Sequence, residues 1–282
     1  MHPIPPKYIY NLIGSIYLAM VSINAFPQFE QGNELIISGS IMNFGYQEFK
    51  DTGTLFDRED GYIPGLVLGL SHTTDRWRFA GDFSFYGGDV LYTGQTNTGI
   101  PINTQTTQTI FDLSLRTEYW LQNSKGLEYG LYLGAGYHQW DRDIRPTSVN
   151  GAPVSGLFET YTWWTGFVGV KTEWYASENS HCMVDVRLLQ IIKPSIYVKF
   201  NGLYDNASLA LGERMGIKLS FPWRHTMNIS SILLVEPFAE AYEFGRSATS
   251  SLTSNGAPTG TVFEPRSQTI NYGLNVGIVQ HF

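Results

Sequence analysis

Apolar and polar residues alternate with a period of two over most of this chain, and that period is the side-chain period of a β-strand. In one stretch Leu127, Tyr129, Leu131, Leu133, Ala135 and Tyr137 share a face, while Glu128, Gly130, Tyr132, Gly134, Gly136 and His138 share the other. Just before it, Phe111, Leu113, Leu115, Thr117, Tyr119 and Leu121 oppose Asp112, Ser114, Arg116 and Glu118. At the end of the chain Ile270, Tyr272, Leu274, Val276 and Ile278 oppose Asn271, Gly273, Asn275 and Gly277. Extended over the chain, the pattern predicts ten strands: 34–49, 62–71, 77–89, 107–121, 127–140, 158–175, 181–200, 207–221, 227–245 and 266–282. Beyond the first 25 residues no segment has the helical period, and no internal repeat is present.

The connections between these strands sort by length. Short turns are predicted at 72–76, 122–126, 176–180 and 222–226, after the even strands. Longer connections follow most odd strands, at 50–61, 90–106, 141–157 and 246–265, with a short one at 201–206. Short turns on one rim and long loops on the other are the arrangement of a transmembrane β-barrel with periplasmic turns and extracellular loops. The expected fold is therefore all-β: a closed antiparallel transmembrane barrel of about ten strands over residues 34–282. Aromatic residues fall at the ends of the apolar faces. Trp77 and Phe85, Phe111 and Tyr119, and Tyr129 and Tyr137 are each eight residues apart. Eight strand residues tilted by about 40° rise roughly 20 Å, close to the roughly 25 Å band between interfacial aromatic girdles. Trp77, Tyr119, Tyr129, Trp174 and Phe282 are placed in the periplasmic girdle, and Phe85, Phe111, Tyr137 and Tyr272 in the outer one.

Composition agrees with strands that have one oily and one polar face. Charged residues make up 15% of the 282, aromatics another 15%, and the mean hydropathy is near neutral, which excludes a bundle of membrane-spanning helices. The net charge of -7 argues against nucleic acid as a partner, which would demand basic patches. The single cysteine, Cys182, permits no intramolecular disulfide and reads as a small apolar filler. Lys7, the uncharged stretch from Ile9 to Val21 and Ala25 read as an export signal over 1–25, with mature protein starting at Phe26 and a short periplasmic segment over 26–33.

The last strand, with Tyr272, Leu274, Val276 and Ile278 alternating up to a terminal Phe282, resembles the C-terminal signature of bacterial outer-membrane barrels. The resemblance implies location in the outer membrane of a Gram-negative bacterium, contact with its lipid and lipopolysaccharide, and recognition of these five residues by the barrel-assembly machinery. Gln280 departs from the pattern, which usually has an apolar or aromatic residue there. The whole mature chain is similar in size to ten-stranded omptin proteases and OpcA-type adhesins.

An omptin-like surface protease needs paired carboxylates on one side of a cleft and an Asp–His pair on the other. Asp141 and Asp143, one strand-face spacing apart with His138 below them, are the nearest match, but no second Asp-x-His element stands opposite. A lipid A deacylase needs a Ser–His pair at the outer rim, whereas Ser71, His72 and His225 are expected at the periplasmic end. No metal-ligand spacing, phosphate loop or cofactor motif is present, and no catalytic residue is assigned. The inward faces are predicted to carry Arg78, Arg116, Lys171, Arg187, Arg214 and Lys218 against Asp82, Asp112, Glu118, Glu128, Glu173, Asp185, Glu236 and Glu240. Opposite charges inside a narrow barrel pair off, and a ten-stranded interior is only slightly wider than one that side chains fill. The expected function is a non-enzymatic surface protein, adhesin- or receptor-like, with a charge-plugged lumen and an unidentified external ligand. The alternatives are a narrow porin-like channel for small solutes and an omptin-like protease.

Overall fold

A computed structural model describes residues 32–95, 99–122 and 127–282. Ten antiparallel strands close on themselves. They are β1 (Gly32–Phe49), β2 (Leu55–Thr74), β3 (Trp77–Gln95), β4 (Pro101–Gln122), β5 (Leu127–Ile144), β6 (Leu157–Ser177) and β7 (Ser180–Lys199). The eighth, β8, runs in three pieces, Ala207–Ala210, Met215–Ser220 and Trp223–Thr226. Then come β9 (Ser231–Phe244) and β10 (Arg266–His281), which pairs with β1 and completes the ring. The export signal and most of the 26–33 segment lie outside the described residues. So does most of the turn expected at 122–126.

The strands are longer than their pattern predicts, mostly at the extracellular end. β2 resumes at Leu55, inside the expected loop 50–61. β3 and β4 leave only residues 96–100 between them, and β5 continues to Ile144. The loop after β5 is itself a hairpin, Thr147–Val149 with Ala152–Val154, and the last loop is another, Ser250–Ser254 with Ala257–Val262. Their turns are Asn150-Gly151 and Asn255-Gly256, with φ of 52° and 81° and of 51° and 76°. Both residues adopt the left-handed conformation that a two-residue hairpin turn demands and that Asn-Gly favours. At the other rim, Trp223–Thr226, expected as a turn, pairs with both β7 and β9, so the reversal lies beyond it, at 227–230.

Strands of 18–22 residues, as in β1 to β6, tilted by about 40° stand roughly 45–55 Å tall, about twice the apolar band of a membrane. The two halves are built oppositely. In the lower half the apolar side chains face outward and are exposed, as with Ile37, Ile41, Leu66, Leu70, Leu115, Leu131, Leu133, Val168, Ile217 and Ile278. Ring pairs bound this band: Trp77–Tyr119 and Trp174–Phe221 at the periplasmic edge, Phe83–Phe111 and Tyr137–Trp164 at the outer one. Tyr129, Tyr272 and Phe282 are exposed on the same wall, and Phe85 is the register partner of Phe111. Above the outer girdle the period of two continues with the faces exchanged. Asn43, Gln47, Arg58, Asp60, Thr107, Gln139 and Asp141 alternate with Phe44, Tyr46, Ile63, Val90, Tyr92, Trp140 and Tyr161, which are buried in an interior core. Water surrounds this half, so the apolar face turns inward as in a soluble barrel.

Candidate functional site: a charged lumen beneath a closed neck

Within the membrane band the glycines on the polar faces leave room for large inward side chains. A Cβ on Gly134 would lie 2.3 Å from the Leu115 carbonyl oxygen and 2.4 Å from the Phe167 ring, so this position accepts no side chain without local movement. Charged residues occupy much of the space that remains. At the periplasmic end Glu34 receives Arg78 at 3.5 Å, Arg224 at 3.4 Å and His281 at 3.9 Å. Above it Glu118 is fully buried and bonded by Arg116 (2.6 Å), Lys171 and the Trp120 indole N–H (3.0 Å), while Arg116 also pairs with Asp82. The Tyr132 hydroxyl joins two charges, donating to Asp185 at 2.5 Å and accepting from the Arg187 Nε at 3.2 Å. Lys218 faces Glu240 at 3.8 Å, Glu236 accepts from the Asn275 amide at 3.3 Å, and His181 bonds Glu173 at 2.9 Å. Glu128 stands beside Glu173 as its register partner, like charge next to like.

Arg214 differs from its expected place. It is exposed, and its guanidinium bonds the Glu213 carbonyl at 3.2 Å rather than Glu236 or Glu240. The reason is the break in β8 between Ala210 and Met215, which takes this residue off the regular ladder. Glu34, Arg224 and His281, none of them expected in the lumen, occupy the periplasmic end instead. A polar cavity of about 190 Å³ remains at membrane level, lined by Tyr86, Arg116, His138, Arg187, Lys218 and Glu240 among others.

The candidate protease residues are pulled apart by the alternation of the strand. Asp141 lies on the outer wall, bonded by the Thr160 hydroxyl (2.7 Å) and the Gln139 amide (3.2 Å), and Asp143 is exposed beside it. His138 points into the lumen, where its Nδ1 meets Asp112 at 2.5 Å, its Nε2 meets the Thr165 hydroxyl at 3.0 Å and its ring stacks on Trp163. His225 pairs with Ser180 at 2.9 Å on strands at the periplasmic rim. Among the described residues no cluster of His, Cys, Asp and Glu has the geometry to hold a metal ion.

The densest constellation lies about 13 Å above the outer girdle, five strand residues beyond Tyr137. It is centred on Arg142, only 1% exposed. One Nη bonds Glu159 of β6 at 2.7 Å and Glu48 of β1 at 3.2 Å, and the other bonds Glu59 of β2 at 2.9 Å. The guanidinium lies over the Tyr46 ring at 4.4 Å. β5 and β1 are four strands apart in a ring of ten, so this side chain crosses the lumen. Tyr46 of β1 and Tyr161 of β6, on opposite walls, meet hydroxyl to hydroxyl at 3.2 Å. The outer shell completes the closure. The Tyr161 hydroxyl donates to Glu264 (2.6 Å), Thr106 and Gln108 donate to Glu59 (2.8 and 2.6 Å), the Trp140 indole donates to Gln108 (2.6 Å), and Tyr92 donates to Asp57 (3.1 Å).

This neck lies outside the membrane band, and its electrostatics follow from burial. Burial raises the Glu159 carboxyl to about 7. Arg142 beside it pulls the other way, and the nearby Glu48 and Glu59 add to the rise. Burial, reinforced by Glu48, pushes Asp57 and Glu264 well above the usual carboxylate range. Burial alone would favour loss of the Arg142 proton, but Glu59 and Glu159 more than reverse it, so the guanidinium stays charged. One Asp57 carboxyl oxygen, Oδ1, is buried without a hydrogen-bond partner.

No protein-family model matches the sequence, and no curated protein matches it. Solved structures match the fold. The outer-membrane protease OmpT of Escherichia coli aligns with a TM-score of 0.62 over 92% of this chain and 99% of its own, at 11% identity. The outer-membrane protein OprG of Pseudomonas aeruginosa covers 91% of this chain and 99% of its own at 9% identity and a TM-score of 0.41. The toluene transporter TodX of Pseudomonas putida covers 89% and 90% at 12% identity and a TM-score of 0.33. The first of these shares the fold, and with the exposed apolar band and the short-turn rim it shows the chain's architecture: a closed ten-stranded antiparallel β-barrel with the fold of Gram-negative outer-membrane barrels.

Proposed function

We propose that this protein is a non-enzymatic surface barrel of adhesin or receptor type, closed to solute passage and presenting its extracellular half to an external partner. The observation that carries the reading is the neck. Arg142 and the Tyr46–Tyr161 contact span the lumen from wall to wall, in a part of the barrel that stands clear of the membrane. A constitutively open channel has no use for a buried core across its path, whereas a display scaffold gains rigidity from one. Two extracellular hairpins crown this end, and Asp205 ties one of them down by accepting from Thr253 (2.6 Å) and from the backbone N–H groups of Asn255 (3.1 Å) and Gly256 (2.9 Å). Preorganised loops of this kind lower the entropy lost on binding. OmpT is a protease, but here Asp141 and Asp143 face away from His138, which leaves no shared cleft for a water-activating pair.

Two assays on the purified, refolded protein test this. Planar-bilayer recording at pH 5.5 should show no steady conductance. Incubation with a mixed peptide library should show no cleavage beyond that of an Arg142→Met control. Peptide cleavage carried by the unmodified protein would replace this reading with a hydrolase.

A further inference from the structure

The neck gathers more negative charge than its one guanidinium balances. Glu48 comes from β1, Asp57 and Glu59 from β2, Glu159 from β6 and Glu264 from the segment before β10, and all five are buried. Other ionisable groups facing them are the hydroxyls of Tyr46, Tyr92 and Tyr161, while β4 contributes only Thr106 and Gln108. Among the described residues, Arg142 is the one cation paired with these acids. Five ionised carboxylates against one arginine would leave four uncompensated charges in a dry core, a state that buried acids avoid by keeping protons. The partnerless Asp57 oxygen is one place for such a proton, within the field of Glu48.

We propose that the neck is a proton-dependent latch: shut while these acids share protons, it hydrates and opens the lumen as they ionise. The inference rests on the reading that the neck is what closes the barrel, and it adds regulation to that site. Its direction follows from linkage. Acids whose closed-state affinity for protons exceeds that of the hydrated state stabilise closure at low pH, and that contribution is lost as pH rises. For Glu159 the window runs from 4.5, the ordinary value, to about 7. One such group shifts the open-to-closed ratio by on the order of 300-fold across that window. Asp57 and Glu264, both pushed up by burial and by Glu48, add to the shift in the same direction. The membrane-level cavity beneath, lined by mixed charges, is the hydrated space that an open neck would join to the exterior.

Planar-bilayer recording of the full protein between pH 5.5 and 9.5 tests this, with acrylamide quenching of Trp140 as a second readout. Trp140 is 1% exposed in the neck, and its signal is isolated by difference from a Trp140→Phe variant. The expected result is a silent barrel and protected Trp140 at pH 5.5, with open probability rising at least a hundredfold by pH 9. The double variant Glu159→Gln, Glu264→Gln keeps the acceptors for Arg142 and Tyr161 and should stay shut and protected to a higher pH than the unmodified barrel. Asp57→Asn serves if the double variant does not refold, and should move the opening to higher pH. Silence and unchanged quenching up to pH 9.5 overturn the latch and leave the closed barrel standing. A steady conductance at pH 5.5 overturns the closed barrel itself. An opening whose pH profile is the same in the variants overturns its assignment to these acids.

Discussion

Replacing Arg142 with Met removes the central charge of the neck and keeps most of its volume, so the loss reports electrostatics rather than a cavity. Three carboxylates lie within 3.2 Å of the guanidinium, one each from β1, β2 and β6, and the site excludes water. Taking away one member of a buried ionic cluster typically costs about 3–5 kcal/mol, because the partners are left charged and dry. Glu159 titrates near 7 even with Arg142 present, so at neutral pH it is already partly neutral and softens the loss. The expected cost is therefore in the lower part of that range at pH 7. The sign of its pH dependence is fixed. Without Arg142 the remaining acids bind protons more tightly, so the cost shrinks as pH falls below 7 and is smallest near pH 4.5, where protons are available to neutralise the stranded acids. Urea unfolding in lipid vesicles, followed by tryptophan fluorescence at pH 5 and pH 7.5, measures both quantities. A cost below about 1 kcal/mol at pH 7.5, or one that grows on acidification, would refute the account of the neck.

Other expectations follow from the two halves of the barrel. Leu131→Arg sets a charge on a lipid-facing position 54% exposed on the outer wall and should cost about 2–4 kcal/mol in vesicle refolding; a neutral result would invert the inside–outside assignment. Gly134→Ala drives a methyl group against the Leu115 carbonyl and Phe167 and should cost about 1–3 kcal/mol in the same assay; unchanged stability would mean that the wall yields there. Glu118→Leu strands Lys171 in the lumen and leaves Arg116 with Asp82 alone, and should cost about 3–5 kcal/mol, with a smaller cost when Lys171 is also replaced by Met; additive costs would show that the two groups are not linked.

The lower half of this barrel is legible in the sequence because lipid enforces one rule on every strand. Leu131 must face out and Gly134 must face in, and the same parity sends Asp112, Arg116, Glu118 and Lys171 into the lumen. The upper half is not legible by that rule, because above the outer girdle the apolar face turns inward. Around the neck, Asp57, Arg58, Glu59 and Asp60 on one strand and Asp141, Arg142 and Asp143 on another are polar on both faces, so these stretches read as polar loop when an oily exterior is sought. Asp57 and Glu59 fall inside an expected loop at 50–61, Arg142 inside one at 141–157, and Glu264 inside one at 246–265. With four of its charged members in expected loops, the neck does not show as a site in the strand pattern. The Asn150-Gly151 and Asn255-Gly256 pairs are the available signal that these stretches hold hairpins rather than irregular chain. Arg214 errs in the other direction, since strand parity assumes an unbroken strand and β8 is interrupted just before it.

Single-channel recording of the unmodified protein in a planar bilayer at pH 5.5, beside Arg142→Ser, bears most directly on the claim that the neck seals the lumen. The unmodified barrel should hold the bilayer at its baseline current, and Arg142→Ser, which empties the centre of the seal, should admit discrete openings. Steady openings from the unmodified barrel, unaltered by the substitution, would contradict the claim.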